Sequence, residues 1–177
     1  MRFLTYSQCA EWCSERGFPT LQLPGYIVGP TPFLEDAPQF HFAWFDLPPD
    51  SGKKVWLAKF LCSLLEPSPE LLIWPGDWAV WHNHMPLFTR FREALGERRL
   101  LIEAPGHLVA PGEADDAVSI IVVSLLFVWN CHILAASGRD AVFVSHDEYG
   151  WFASMDASVA ASRAEALQGA GVSPARV

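Results

Sequence analysis

The chain has 177 residues, of which 51% are hydrophobic and 18% are charged, and its formal net charge is −8. This length suits one domain with a single core, and the apolar content excludes an intrinsically disordered chain. The acidity, with Lys and Arg scattered rather than clustered, argues against nucleic acid as a partner.

The first predicted helix covers about residues 5–16. Thr5 can cap its N-terminus, Gln8 stands at the third helical position, and Gly17 can end it. Polar residues interrupt the apolar start of the chain, so it lacks the pattern of a signal peptide and predicts a cytoplasmic protein. In that compartment we expect the cysteines to be reduced and buried. They are Cys9, Cys13, Cys62 and Cys131.

The next segment, residues 18–39, is rich in Pro and Gly, which predicts a surface loop with a short strand at residues 26–28. The sequence "FHFAWFDL" at residues 40–47 is apolar on both of its alternating faces. This pattern predicts a central strand that is covered on both sides. After the turn "PPDSGK", a wide apolar stripe predicts a helix over residues 52–65.

The middle of the chain predicts two short strands and two helices. "ELLIW" and residues 100–103 are the expected strands, and the helices are expected at 87–96 and 115–129. The second helix contains "AVSIIVVSLLFVW", which is almost wholly apolar. Its helical length of about 20 Å is short of the roughly 30 Å of a hydrocarbon core, so we predict a buried helix and no membrane span.

The C-terminal part predicts a β-hairpin around "SGRD", in which Gly138 at the first central position suits a two-residue type II′ turn. Such a turn fixes how the two strands pair. The predicted register pairs Leu134 with Phe143, His132 with Ser145, and Asn130 with Asp147. A third strand at residues 149–153 would complete a meander, and an Ala-rich helix is expected at 158–167.

These elements predict an α+β fold, with one domain over residues 1–168 and a frayed tail at 169–177. The sheet is expected to be mixed or antiparallel and to end in a β-meander at about 130–153. The helices that pack against it are expected at about 5–16, 52–65, 87–96 and 115–129.

The predicted register gathers a cluster of polar side chains on one face of the hairpin. Its members are Asn130, His132, Ser145 and Asp147. A nucleophilic serine usually sits on a strained turn beside an oxyanion hole, whereas Ser145 is expected in mid-strand. We therefore predict a hydrogen-bonded cluster and no catalytic residue. The neighbouring His146 should point to the opposite face of the sheet.

The segment "WPGDWAVWHNHMP" at residues 74–86 concentrates tryptophan and histidine, and two arginines follow it. Tryptophan can anchor a partner interface or line a pocket. The candidate binding residues are Trp74, Asp77, Trp78, Trp81, His82, His84, Arg90 and Arg92. His82 and His84, with a carboxylate such as Asp147, also form a candidate zinc or iron site. Core packing is favoured for this segment over both alternatives, and no metal or cofactor is expected.

A small, acidic, aromatic-rich chain without a nucleotide-binding or zinc-protease motif favours a protein that binds another macromolecule. Bacterial immunity proteins and other stoichiometric inhibitors share this profile, because an acidic surface attracts a basic toxin. One alternative is a metal-dependent hydrolase that uses His82 and His84 with a carboxylate. Another is a structural subunit of a homo-oligomer. A protein partner is therefore expected, and neither a membrane nor a nucleic acid is.

Overall fold

The computed structural model describes residues 1–20, 37–65, 68–76 and 85–175. Its elements are, in chain order, β1 (Arg2–Leu4), α1 (Tyr6–Glu15), β2 (His41–Asp46), α2 (Ser51–Leu64), β3 (Leu71–Gly76), α3 (Met85–Ala94), β4 (Gly106–Val109), α4 (Ala114–Leu126), β5 (Asn130–Ala135), β6 (Asp140–Val144), β7 (Tyr149–Ser154) and α5 (Ala157–Gly169). The strand expected at residues 26–28 lies outside the described residues.

The seven described strands form one sheet in the order β1-β4-β3-β5-β6-β7-β2. Every pair of neighbours in this sheet is antiparallel. Strands β5, β6 and β7 are consecutive in the chain and adjacent in the sheet, as a meander requires. The predicted α+β fold with a C-terminal β-meander is therefore confirmed.

Local hydrogen bonds explain where two of the helices begin. The Thr5 hydroxyl accepts from the Gln8 amide at 3.4 Å, and the Gln8 side chain accepts from the Thr5 amide at 2.9 Å, which completes a capping box. Asp50 caps α2 by accepting from the Lys53 amide at 2.8 Å. Each cap satisfies an amide that the first helical turn would leave unpaired.

The chain between α3 and α4 differs from the prediction. Residues 100–103 form a turn, in which the Glu103 amide donates to the Leu100 carbonyl at 3.0 Å. Leu100 and Ile102 are exposed there, so their apolar side chains do not mark a buried strand. Strand β4 forms instead after this turn, where the sequence predicts no strand, and β1 is a further strand that the sequence does not predict. Both are short, and β4 becomes a strand because it pairs with β1 and β3.

Among the strands that the structure describes, β2 is the last in the sheet, with β7 as its one strand neighbour, which differs from the expectation of a central strand. Its two faces are apolar as expected: Phe45 packs into one hydrophobic cluster, and Trp44 packs against the other. Two apolar faces indicate that layers cover both sides of a strand. They do not indicate how many strands flank it.

The segment after α5 covers part of β2, contrary to the expectation of a frayed tail. The Asp46 amide donates to the Ser173 carbonyl at 2.9 Å, and Phe45 and Pro174 form an antiparallel bridge. Val172 is buried beside them. Residues 171–175 are therefore part of the folded domain.

The sheet separates two hydrophobic layers. On one side, which we call the aliphatic face, side chains such as Ile133 and Val142 pack against α2, α4 and α5. On the other side, which we call the aromatic face, Phe143 and Trp151 share a cluster with Cys9 and the other buried residues of α1. The helices on the aliphatic face, α2, α4 and α5, follow β2 in the chain, whereas α1 on the aromatic face precedes it.

The aromatic face carries a row of rings that crosses five adjacent strands. The residues in register along this row are Trp74 on β3, His132 on β5, Phe143 on β6, Trp151 on β7 and Trp44 on β2. The ring centroids of His132 and Phe143 are 4.5 Å apart, and those of Phe143 and Trp151 are 5.3 Å apart. Such cross-strand pairs stabilise a sheet and help to fix its register.

Helix α4 spans Ala114–Leu126 and contributes Ile120, Ile121 and Leu125 to the aliphatic face. It ends before the predicted boundary because Val128 adopts a φ of 57°, and the Trp129 amide donates back to the Ser124 carbonyl. Among the described helices, none combines the length and the hydropathy that crossing a membrane requires.

Candidate functional site

The hairpin register differs from the predicted one by two residues. His132 pairs with Phe143, and Cys131 pairs with Val144. The turn is longer than two residues: the Gly138 amide donates to the Ala135 carbonyl at 3.0 Å, and Gly138 closes the turn with a φ of 73°. A left-handed residue after a tight turn is the usual ending of such longer hairpin loops, so the prediction of a two-residue type II′ turn with Gly138 at its first central position is wrong.

The polar residues at the far end of this hairpin form the cap of a second turn. Asn130 accepts a hydrogen bond from the His146 amide at 2.8 Å, and its oxygen lies 2.9 Å from Nδ1 of the His146 ring. The Ser145 hydroxyl accepts from the Asp147 amide at 3.1 Å. The Ser145 hydroxyl therefore stabilises a turn. A nucleophilic serine would instead donate its proton to a neighbouring base.

His146 lies beside Asn130 and not on the opposite face, because residues 146–148 leave the strand. The Ser145 amide donates to the Tyr149 carbonyl, and Glu148 takes a φ of 65°. His146 Nε2 lies 3.5 Å from an oxygen of Asp147. The prediction that His146 and Asp147 diverge fails because alternation holds only within a strand.

His132 is separated from this polar turn and belongs to the aromatic row. It is 6% exposed, and neither ring nitrogen forms a hydrogen bond within the described residues. Burial lowers the pKa of His132 to about 3, so the imidazole is neutral at physiological pH. A neutral ring without a hydrogen-bonding partner or solvent access cannot serve as a general base for a substrate.

The other candidate binding residues fall into three environments. Trp74 is 1% exposed and packs edge-on against Tyr6, and Arg92 is 2% exposed, so both lie in the interior. Arg90 is exposed and forms an ion pair with Glu93 at 2.7 Å. The remaining candidates lie outside the described residues. These are Asp77, Trp78, Trp81, His82 and His84.

A buried polar group that the sequence does not predict surrounds Arg92. Its guanidinium donates to the Ala104 carbonyl at 2.6 Å, and burial lowers its pKa to about 10, with the nearby Glu97 opposing that shift. Arg99 donates to Glu97 at 3.0 Å, and this hydrogen bond lowers the pKa of the Glu97 carboxyl. The cluster joins α3 to the turn that leads to β4.

His107 on β4 completes that group, on the aliphatic face. It has no exposed surface, and burial followed by the charge of Arg92 lowers its pKa to about 3. The carbonyl groups of Ile73 and Pro105 are close enough to oppose this shift, but neither ring nitrogen reaches hydrogen-bonding geometry. The ring packs against Phe88, so His107 is a core residue.

The described residues offer no prepared metal site, and three of the four cysteine thiols have raised pKa values. They contain no group of three or more His, Cys, Asp or Glu side chains that could hold a metal ion. Burial raises the pKa of Cys9, Cys13 and Cys131 to about 12, which leaves these thiols protonated. A site formed by His82 and His84 lies outside the described residues and stays a prediction.

Two of the cavities at the surface of the described part of the chain have volumes of several hundred Å³. One, of about 290 Å³, lies near Cys62, Val109 and Ala117. Two of its polar lining residues are already joined, since the Ser68 hydroxyl donates to the Glu70 carbonyl at 2.6 Å. It has no exposed aromatic residue that could anchor a partner.

The larger cavity, of about 570 Å³, is a groove between the start of α2 and the segment after α5. We call it the α2 groove. It is lined by Asp46, Leu47, Pro48, Pro49, Lys53, Trp56, Ala170, Gly171, Val172 and Ser173. Trp56 is 44% exposed and stacks on Phe60, with 5.1 Å between ring centroids.

The sequence contained a signal for this groove. The apolar stripe of α2 is too wide for one buried face, because Leu57 and Leu61 are fully buried while Val55 and Trp56 remain exposed. A stripe with this excess predicts that some of its members face solvent. Only the tertiary structure identifies which ones.

No family model, curated protein or solved structure that was compared with the chain matches it.

Proposed function

We propose that this protein acts by binding a basic protein partner through the α2 groove. The observation that carries the proposal is the exposed Trp56 ring beside a groove of about 570 Å³. Tryptophan is the residue type most enriched among those that dominate binding energy at interfaces. The described groups with strongly shifted pKa values lie instead in the interior, where no substrate can reach them.

The groove is held open by contacts within the domain. One wall is tied to β2 by the hydrogen bond from the Asp46 amide to the Ser173 carbonyl, and the Val172 amide donates to the Leu167 carbonyl at 3.0 Å. Two prolines fix the backbone of the opposite wall. A site that is already formed loses little conformational entropy when a partner binds, which favours affinity.

An immunity-type inhibitor of a basic toxin is the version of this function that we favour. The net charge of −8 would speed association with a basic partner by long-range attraction. We also propose a cytoplasmic location, which suits four buried cysteines that form no disulfide.

Affinity capture of the full chain from its native cells tests the proposal. Wild type and the Leu87→Ala variant, which removes another exposed apolar side chain, should retain the same basic protein in stoichiometric amount. Trp56→Ala should reduce its recovery at least about tenfold, as expected for a central interface residue. Equal recovery with Trp56→Ala, or recovery of the chain alone, would overturn the proposal.

A further inference from the structure

We infer that the partner places an arginine side chain in the α2 groove, over the Trp56 ring and beside the Asp46 carboxylate. This inference rests on the proposed binding function and specifies the chemistry of what is bound. It follows from the charge of the rim, the nature of the exposed ring and the rigidity of the walls.

Among the described residues at this end of the sheet, the exposed carboxylates of Asp46, Asp147 and Glu148 outnumber Lys53, the cation of the groove lining. Asp46 lines the groove, is exposed, and forms no ion pair within the described residues. The Leu47 amide donates to the Glu148 carbonyl at 2.8 Å, which brings the exposed pair Asp147 and Glu148 to the same end of the sheet. Of the lining residues that the structure describes, Lys53 is cationic and Asp46 is anionic. This balance favours a cation over an acidic segment.

The backbone around Glu148 also departs from an ordinary turn. Its φ of 65° places a non-glycine residue in the left-handed region, where a side chain costs about 1–3 kcal/mol. The corresponding position of the other hairpin turn is Gly138. The exposed Glu148 carboxylate therefore lies at the same end of the sheet as Asp46, whose strand partner is the next residue, Tyr149.

Trp56 selects among cations. Its face is attractive to a cation within about 6 Å of the ring centroid, and indole is the strongest of the aromatic side chains in this respect. A planar guanidinium can stack on the ring while it donates two hydrogen bonds to a carboxylate. An ammonium group is compact and more strongly hydrated. It therefore gains less than a guanidinium from contacting an aromatic ring and a carboxylate together.

Nuclear magnetic resonance titration of the isotope-labelled full chain tests this inference. The probes are three blocked peptides, Gly-Ser-Arg-Ser-Gly and its versions with Lys or Glu in the centre. The arginine peptide should shift the Trp56 indole signal and the amide signals of 170–173, and it should bind more tightly than the lysine peptide. The glutamate peptide should leave these signals unchanged.

Variants assign the binding to the groove. Trp56→Ala and Asp46→Asn should each weaken the arginine peptide about two- to fivefold, as expected for one exposed cation–π contact or ion pair. Glu11→Gln, which removes an exposed carboxylate on α1, should leave the dissociation constant unchanged. Equal binding of the lysine peptide, or shifts spread over other acidic surfaces, would overturn the inference.

Self-association gives a separate outcome. If the groove signals shift when the protein is concentrated without peptide, the occupant is a second copy of the chain and the inference is wrong. Cellular capture that depends on Trp56 without arginine-peptide binding would refute this inference and leave the proposed function standing. Peptide binding without Trp56-dependent capture would refute the proposed function instead.

Discussion

The two faces of the sheet exclude water by different means. On the aliphatic face most strand residues are small or branched, with Phe45 and Phe152 as larger members, and helices such as α2 and α4 supply the remaining volume. On the aromatic face the strands themselves supply the volume, through rings that run from Trp74 to Trp44. Large strand side chains can thus replace part of a helical layer.

Each face also buries one neutral histidine, in a different setting. His107 on the aliphatic face lies near the charge of Arg92, whereas His132 on the aromatic face lies among rings. Burial alone lowers the pKa of His132. Burial lowers the pKa of His107 as well, and the positive charge of Arg92 lowers it further. A histidine in a strand can therefore be a packing residue on either face of this sheet.

The largest effects should come from truncating adjacent residues that point to opposite faces. Trp151 and Phe152 have no exposed surface, and changing either to alanine should lower the free energy of unfolding by about 3–5 kcal/mol in urea titrations. Trp151→Ala should reduce the near-ultraviolet circular dichroism more than Phe152→Ala does, because Trp151 belongs to the row of rings. An equal spectral loss in Phe152→Ala would contradict the separation of the faces.

Acid titration should separate the two histidines. Their folded pKa values of about 3 lie below the ordinary value of 6.5, so the folded state is favoured while both imidazoles are neutral. The stability that each neutral histidine contributes is fully present above pH 6.5 and is lost as the pH falls towards 3. Each contributes a slope of about 1.4 kcal/mol per pH unit in that window.

We therefore expect that His132→Phe and His107→Phe each reduce the slope of the unfolding free energy against pH by about 1.4 kcal/mol per pH unit. Denaturant titrations between pH 3.5 and 7 measure it, and the difference from wild type cancels the contribution of the carboxylates. An unchanged slope in one variant would show that its histidine is charged or hydrated in the folded protein.

Alanine substitutions at Gly106 and Gly150 should have smaller effects on stability, and together they compare the two faces of the sheet. A methyl group on Gly106 would come within 2.2 Å of the Cys9 sulfur on the α1 side, and one on Gly150 would come within 2.6 Å of the Phe143 carbonyl oxygen. Each alanine variant should lose about 1–3 kcal/mol through overpacking. Cys9→Ala should rescue Gly106→Ala, because it removes the clashing sulfur, but it should not rescue Gly150→Ala. Thermal and urea unfolding of the double mutants measure this coupling.

The smallest effect is expected at Glu148, in a turn that belongs to neither face. Glycine tolerates its φ of 65°, so Glu148→Gly should raise the free energy of unfolding by about 1 kcal/mol. Glu148→Gln keeps the strained side chain and should leave stability nearly unchanged. A loss of stability in the glycine variant would mean that the side chain forms a stabilising contact.

The sequence predicts elements whose signals are local. The capping box at Thr5 and the period of α2 depend on residues within one or two helical turns, so both helices are found close to their expected bounds. Strand β4 and the place of β2 as the last of the described strands depend on partners far away in the chain, and their local patterns mislead. The hairpin register fails by two residues because one glycine fits two turn types with different loop lengths.

The candidate sites show the same division. The sequence predicts Asn130, Ser145 and Asp147 in one cluster on a strand face, whereas in the structure Asn130 accepts from the His146 amide and Ser145 accepts from the Asp147 amide in a turn. His132 leaves the group because its strand neighbours Phe143 and Trp151 enclose it. The α2 groove was not found, because its walls come from residues more than a hundred positions apart.

Three properties follow from the sequence by itself. They are the acidic net charge, the alternation of apolar residues in the strands, and the capped amphipathic helices. These follow from periodicity and from hydrogen bonds between near neighbours. The tertiary structure alone decided which apolar residues remain exposed. Trp56 faces a groove rather than the core because residues 170–173 return to β2, and no local pattern encodes that return.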